Sequence, residues 1–285
     1  MASILDRYGI KEVADVTFYK IKDGAQGDPV LYLDTLKVST IEQTAETTDA
    51  RGGKGNPKLV TWDYGKDITV TLEDALFSAK SLSIMFGDGN VVASTGTVTR
   101  TVMVRLDGTN LPDYFTADVY EEGKGSVRKR VYFNTVSNMP SNAVLLANSG
   151  LTVTQVTSED GKNVKAISGN TVTVPAGVTA GEKIFITYTV PATKKEIVIS
   201  GDTFPGTYYV TGDTYARSDV DGSDQFFQFI IPKAKVTSEN TITLEAEGDP
   251  SVFNMNLTVL RPEDGEMMKL VQYDLTDGAT GAGLD

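Results

Sequence analysis

Glu245 and Glu247 stand two apart on a strand-like run, so both side chains reach one face. Two acids on one face are what glycoside hydrolysis uses, yet nothing in the sequence sets their separation or builds a cleft. Asp219-Val-Asp221-Gly-Ser-Asp224 resembles the opening of a calcium loop. The closing Glu and the flanking helices of an EF-hand are missing, and a plain acidic turn fits the residues better. Gly52, Gly53 and Gly55, set around Arg51 and Lys54, suggest a phosphate cradle. A P-loop needs Gly-Lys-Ser/Thr opening a helix; here Asn56 and Pro57 follow and lead into a strand. A surface loop or a protein-docking loop fits that context. Arg128, Lys129 and Arg130 form the one dense basic run, readable as a nucleic-acid contact or as a solvated ion-pair face. The second reading is favoured.

The composition removes much chemistry at once. The 285 residues contain no His and no Cys. Thiol nucleophiles, disulfides, imidazole bases and His or Cys metal sites are therefore excluded. Catalysis would rest on carboxylates, Lys, Tyr or Ser/Thr, and no nucleophile is assembled with a base. The chain reads as a non-enzyme without cofactor or metal. The formal net charge of −12 disfavours nonspecific binding to duplex phosphates, but suits a surface that nucleic acid must pass without adhering. No apolar run is long enough for a membrane span, and the first residues lack a signal-peptide pattern. The expectation is a protein made in the cytoplasm.

The elements that would position these residues centre on Asp28 to Phe86. We expect a strand from Val30 to Thr40, a polar connection from Ile41 to Pro57, and a second strand from Lys58 to Thr71. A helix should follow from Leu72 to Phe86. In the second strand Val60, Trp62, Tyr64, Ile68, Val70 and Leu72 alternate with Thr61, Asp63, Asp67, Thr69 and Thr71, which predicts one buried and one wet face. Lys66 interrupts the apolar face, and Gly65 before it marks a bulge. Trp62, the only Trp, reads as core or interface. In the first strand Tyr32, Leu36 and Val38 share a face opposite Thr35, Lys37 and Ser39. Each strand would span roughly 40 Å, beyond the usual length, so the hairpin should reach past its own domain. For the helix, Thr71 is the expected N-cap with Asp74 in the capping-box position, and Gly87 the C-terminal stop.

Elsewhere short strands dominate. Met1 to Asp15 reads as an arm or short helix, Val16 to Lys22 as a strand, and Thr97 to Leu106 as another. Tyr114 to Glu121 and Ser126 to Val136 form a pair around a Gly-containing turn. Residues 138–192 are rich in Val, Thr, Ser, Gly and Asn and read as a small β-sandwich module, inserted or appended. Ile184, Ile186 and Tyr188 share a face there. The strand-rich character returns over 193–285, with Phe253, Met255, Leu257 and Val259 on one face and a flexible tail at the end. The chain thus divides into 1–137, 138–192 and 193–285.

The run DARGGKGNPKLVTWDYGKDITVTLEDALFS, with the expected helix and the return to strands, resembles the major tail tube proteins of tailed bacteriophages. The likeness covers Val16 to Val136 and resumes from Lys195 to Leu275. It implies a mainly β fold, a β-sandwich with one flanking helix and a long hairpin, carrying 138–192 as a decoration. It also implies six copies in a ring and rings stacked into a tube through which phage DNA passes without specific binding. Other tail proteins would be partners: a sheath in a contractile tail, the baseplate and the terminator. The resemblance makes Asp49, Arg51, Gly52, Gly53, Lys54, Gly55 and Asn56 the ring-stacking loop. Lys37, Thr61, Asp63, Asp67 and Thr69 become the residues facing the lumen. A different class remains open from the strands of 138–192, a β-sandwich adhesin or carbohydrate-binding module.

Overall fold

Alternation of apolar and polar residues sets the strands, and β15 shows it with one face buried. Phe253, Met255, Leu257 and Val259 are all buried, with Asn254 exposed between them, as the period of two requires. The computed structural model describes residues 7–10, 12–87, 90–161, 164–166, 172–220, 222–239 and 252–273. The expected strand containing Glu245 and Glu247, Asp221, and the C-terminal tail beyond Tyr273 lie outside the described residues. The chain divides into two compact units, 1–92 with 196–285, and 93–195.

The first unit contains β1 (Tyr8–Ile10), β2 (Asp15–Lys22), β3 (Ala25–Leu33), β4 (Leu36–Arg51), β5 (Lys58–Asp74) and α1 (Ala79–Phe86). The second unit holds β6 (Val92–Arg105), β7 (Tyr114–Glu121), β8 (Gly125–Tyr132), β9 (Val144–Leu145), β10 (Thr152–Ser158), β11 (Val164–Ala166) and β12 (Lys183–Glu196). The chain then returns to the first unit with β13 (Thr207–Ser218), β14 (Asp224–Val236), β15 (Phe253–Val259) and β16 (Lys269–Tyr273).

In the first unit the strands form one sheet in the order β3-β2-β13-β14-β15-β5-β4. β1 also pairs with β13, and β16 with β14. Residues 8–10 are therefore a strand, not the expected arm or short helix. β14 changes partner along its length: Phe226 to Ile230 pair with β16, and Ala234 to Val236 with β15. Pro232 lies between the two stretches; it has no N–H to give a ladder, and the β13–β14 register shifts there. Val16 and Phe18 of β2, Val210 of β13, Ile231 of β14, Leu257 of β15 and Val70 of β5 all enter one core. A single sheet whose strands share one core must curl over its inner face, which gives the sandwich. Gly212 faces Phe229 across β13 and β14; a Cβ there would meet the Phe229 ring at 2.1 Å, so only glycine fits.

The expected helix over Leu72 to Phe86 is corrected at its start. β5 runs through Leu72 to Asp74 because these residues pair with Met255 and Phe253 of β15 and bury Leu72 completely. Sheet pairing and burial outweigh the local helical pattern. Asp74 is tolerated in the core because its carboxylate accepts from Thr35 Oγ1 at 2.5 Å and from the Leu76 N–H at 3.2 Å. The helix begins at Ala79, capped by Ser78 in a reciprocal pair with Ser81 rather than by Thr71. Ile84 and Met85 close the core.

The second unit packs the sheet β11-β10-β12-β6 and the sheet β7-β8-β9 around its own core. Ile184, Ile186 and Tyr188 are buried there, as their alternation predicts. The strands of residues 138–192 thus share a unit with β6, β7 and β8. β8 ends at Tyr132 rather than Val136.

Candidate functional site: the protruding ribbon

β4 and β5 form one antiparallel ribbon from Leu36 opposite Asp74 to Arg51 opposite Lys58. The expected connection over Ile41 to Pro57 is mostly strand: residues 41–51 pair with β5, leaving a turn of Gly52 to Pro57. Their polar composition hid the strand, since no face of it is buried and no period develops. The expected strand from Val30 to Thr40 is two strands, broken at Asp34 and Thr35, where the chain passes from β3 to β4. The face expected for Tyr32, Leu36 and Val38 is lost for the same reason. Leu36 is buried, whereas Tyr32 and Val38 are exposed.

Only the base of the ribbon is covered. Ile68, Val70 and Leu72 are buried, and β15 pairs with Thr69 to Asp74. Every residue of β5 from Lys58 to Asp67 is exposed, as is nearly all of β4 beyond Ser39. Ten residues at about 3.3 Å each carry the strand roughly 30 Å past its core. Trp62 is 54% exposed and Tyr64 53%, so the Trp is not a core residue.

The single buried face expected for Val60 to Leu72 is overturned by a bulge. Gly65 has φ +61°, and the register shifts between Thr44 and Glu46, so Gly65 and Lys66 oppose one residue of β4. An extra residue flips the alternation beyond it. Asp67 and Thr69 pair with Thr44 and Glu42, and Tyr64, Trp62 and Val60 pair with Glu46, Thr48 and Ala50. These β4 residues are all even-numbered and share one face. The apolar stripe Val60-Trp62-Tyr64 therefore lies on the side away from the core, together with Asp67 and Thr69. Thr61 and Asp63 pair with Asp49 and Thr47 and continue the core side instead. The four do not share a face as the unbroken period required. Lys37 is the extra residue of a second irregularity, at the ribbon base between Leu36 and Val38.

The tip is organised by Asp49. Its carboxylate lies 2.7 Å from Lys58 Nζ and 3.3 Å from Arg51 Nη2, and accepts from Thr61 Oγ1 at 2.9 Å. The Lys58 hydrogen bond, then those of Thr61 and Arg51, hold its carboxyl below the ordinary carboxylate range against slight desolvation. The turn closes through Gly52 N–H to Pro57 O at 3.3 Å and Asn56 N–H to Gly53 O at 3.1 Å. Gly53, Gly55 and Asn56 all have positive φ, which explains Gly53 and Gly55 without a bound phosphate. Lys54 stands exposed at the end.

The other chemically suggestive residues are engaged otherwise. Asp224 forms a bidentate pair with Arg217, both contacts 2.6 Å, and the Asp219 N–H donates to Arg7 O. Lys129 pairs with Glu121 at 2.7 Å, and the Arg130 guanidinium lies 4.8 Å over the Tyr114 ring. With Lys124 and Lys129 bonded to it, Glu121 is lowered to about 2. Among the described residues no group of three or more Asp or Glu could hold a metal ion, and no helix is long and apolar enough to cross a membrane. What sequence reasoning missed is the outward turn of Val60, Trp62 and Tyr64. The signal was present in Gly65-Lys66, where the alternation breaks.

Fold and ribbon together define a mainly β protein that presents a long strand pair beyond its own core. The chain belongs to the YomU/Tube protein family, whose model matches residues 8–119 and 119–272. It is a phage tube-type structural protein, so the resemblance read from the ribbon sequence holds at the level of the family. A comparison with curated proteins finds no match.

Proposed function

We propose that copies of this chain close into hexameric rings that stack into a tail tube, through which phage DNA passes without sequence-specific binding. The observation that carries this reading is the ribbon beyond Ile68, exposed on both faces and bearing Val60, Trp62 and Tyr64 in a row. A strand pair of that length with large apolar side chains in water makes sense when another copy covers it. The turn Gly52 to Asn56, with Arg51 and Lys54, is the ring-stacking element, braced by Asp49. We assign the bore to the base of the ribbon, at Glu42, Thr44, Asp67 and Thr69, where acid repels phosphate, and the distal part of that face, with Val60, Trp62 and Tyr64, to a neighbouring copy. Thr61, Asp63 and Lys37 fall outside that assignment. Membership in a structural tube family supports a role in the virion tail, beside the sheath, baseplate or terminator proteins of such a tail.

Electron microscopy of concentrated purified protein tests the reading. Rings or tubes are expected; a strict monomer at all concentrations would sink it. Arg51→Glu with Lys54→Glu should leave the fold intact and block stacking. Unchanged polymerisation would remove the docking role from the turn.

A further inference from the structure

The end of the first unit opposite the ribbon tip carries a second exposed apolar surface. β5 enters the core at Ile68 and leaves it at Asp74, so residues 75–77 emerge at the far end from the turn. Leu76, 65% exposed, and Phe77 stand there, with the Phe77 ring 4.3 Å from that of Phe253, the partner of Asp74 in register. Val252 precedes Phe253 and is exposed. The segment 196–206 lies at the same end, because Val236 N–H donates to Gly206 O and Val236 pairs with Leu257. It exposes Val198, Ile199 and Phe204, the last at 64%, and passes near Gly87 at the end of α1, where an added Cβ would meet Val198 O at 3.8 Å.

Six such side chains leave on the order of 600 Å² of apolar surface in water. Summed, that approaches the ~800 Å² each partner gives to a standard interface. The two ends differ in charge. The tip bears Arg51, Lys54 and Lys58 against Asp49 alone. The far end bears exposed Asp34, beside Thr35 whose carbonyl accepts from the Ala75 N–H, and Asp202 between Ile199 and Phe204, with Lys80 on the helix and Lys235, bonded to Pro205 O, as its basic groups.

We infer that the Val60-Trp62-Tyr64 stripe of one copy docks on the Leu76-Phe77-Val198-Ile199-Phe204-Val252 surface of a second copy. This rests on the stacked-ring reading and names the surface that receives the ribbon. The two surfaces differ and lie at opposite ends of the unit, so the contact is heterologous and repeats without closing, which is what a stack of unlimited length requires. Trp62 and Phe204 are its aromatic anchors.

Two variants with complementary damage test it. Trp62→Glu spoils the stripe, and Ile199→Glu with Phe204→Glu spoils the receiving surface. All three positions are exposed, so both chains should keep the wild-type melting midpoint. If the double variant melts early, Ile199→Glu alone replaces it. Each variant alone should lose sedimenting stacks by more than about tenfold. An equal mixture should form a complex of finite size holding both chains in equal amounts, because one intact stripe meets one intact surface and growth then stops. A receiving-surface variant that stacks like wild type overturns the docking assignment and leaves the stacked-ring reading standing. A mixture with no joint complex does the same. Wild-type protein that never stacks overturns both.

Discussion

The base and the distal half of the ribbon are one strand pair in two environments. At the base, Ile68, Val70 and Leu72 are buried and β15 pairs with the strand, so packing fixes register and face. Beyond Gly65 the same two strands run with solvent on both sides. An isolated two-stranded ribbon is marginal in water. Here cross-strand pairs, the anchored base and the Asp49 cluster hold it. Within one pair of strands, then, one half stabilises the subunit and the other is available to a neighbour. Apolar residues do not mark the difference, since both halves have them. What marks it is whether anything covers them.

The sharpest way to break that contrast is a pair of truncations. Leu72→Ala should lower stability by about 3 kcal/mol, through lost burial and a cavity. Trp62→Ala should change the monomer by less than about 0.5 kcal/mol while weakening assembly. Urea unfolding with sedimentation separates the two; similar losses of stability would erase the distinction between the halves.

Inserting one residue into β4 between Ala45 and Glu46, opposite Gly65 and Lys66, tests the bulge that turns the stripe outward. The alternation would then run unbroken and place Trp62 on the core side of the ribbon. Stability should shift by about 1 kcal/mol, because a left-handed position and an unpaired residue are both removed, and stacking should be lost. Wild-type stacking by this variant would show that the face carrying Trp62 is immaterial.

Two carboxylates extend the comparison to pH. Asp213 stands opposite Asp15 in the β2–β13 pair and accepts from Gln228 Nε2 at 2.6 Å. Partial burial pushes its carboxyl up, and Asp15 adds to this against the Gln228 hydrogen bond. A folded value above the unfolded one gives stability that is full below the unfolded carboxylate range and lost as pH rises through the folded value. Asp213→Asn should therefore stabilise the first unit at neutral pH by roughly 0.5 kcal/mol at most, after allowance for solvent screening, and the gain should vanish by about pH 3. A constant difference across that range would rule out titration of Asp213 as its source.

Asp49 at the tip has the opposite sign. Its folded value is lowered, so its contribution is present above the unfolded range and lost as pH falls through the folded value. Acid should loosen the turn, and Asp49→Asn should reproduce that at neutral pH. Amide shifts of Gly52 to Asn56 read this smallest effect directly. An unmoved turn in both cases would show that backbone bonds alone hold it.

The residues themselves fixed much of this protein. The periods in β2, β12 and β15 predict which side chains are buried, because a covered strand face must be apolar at every second position. Gly65 announces a bulge, and missing His and Cys close off whole classes of chemistry. Residues 41–51 left no such trace, because a strand with water on both faces has no apolar period to read. The start of α1 was equally hidden, because Leu72 to Asp74 suit a helix locally and become strand only when Met255 and Phe253 lie alongside. Above all, the direction in which Trp62 points depends on one inserted residue and on the register of its partner strand. Register is a property of two segments brought together, so only the tertiary structure could decide it.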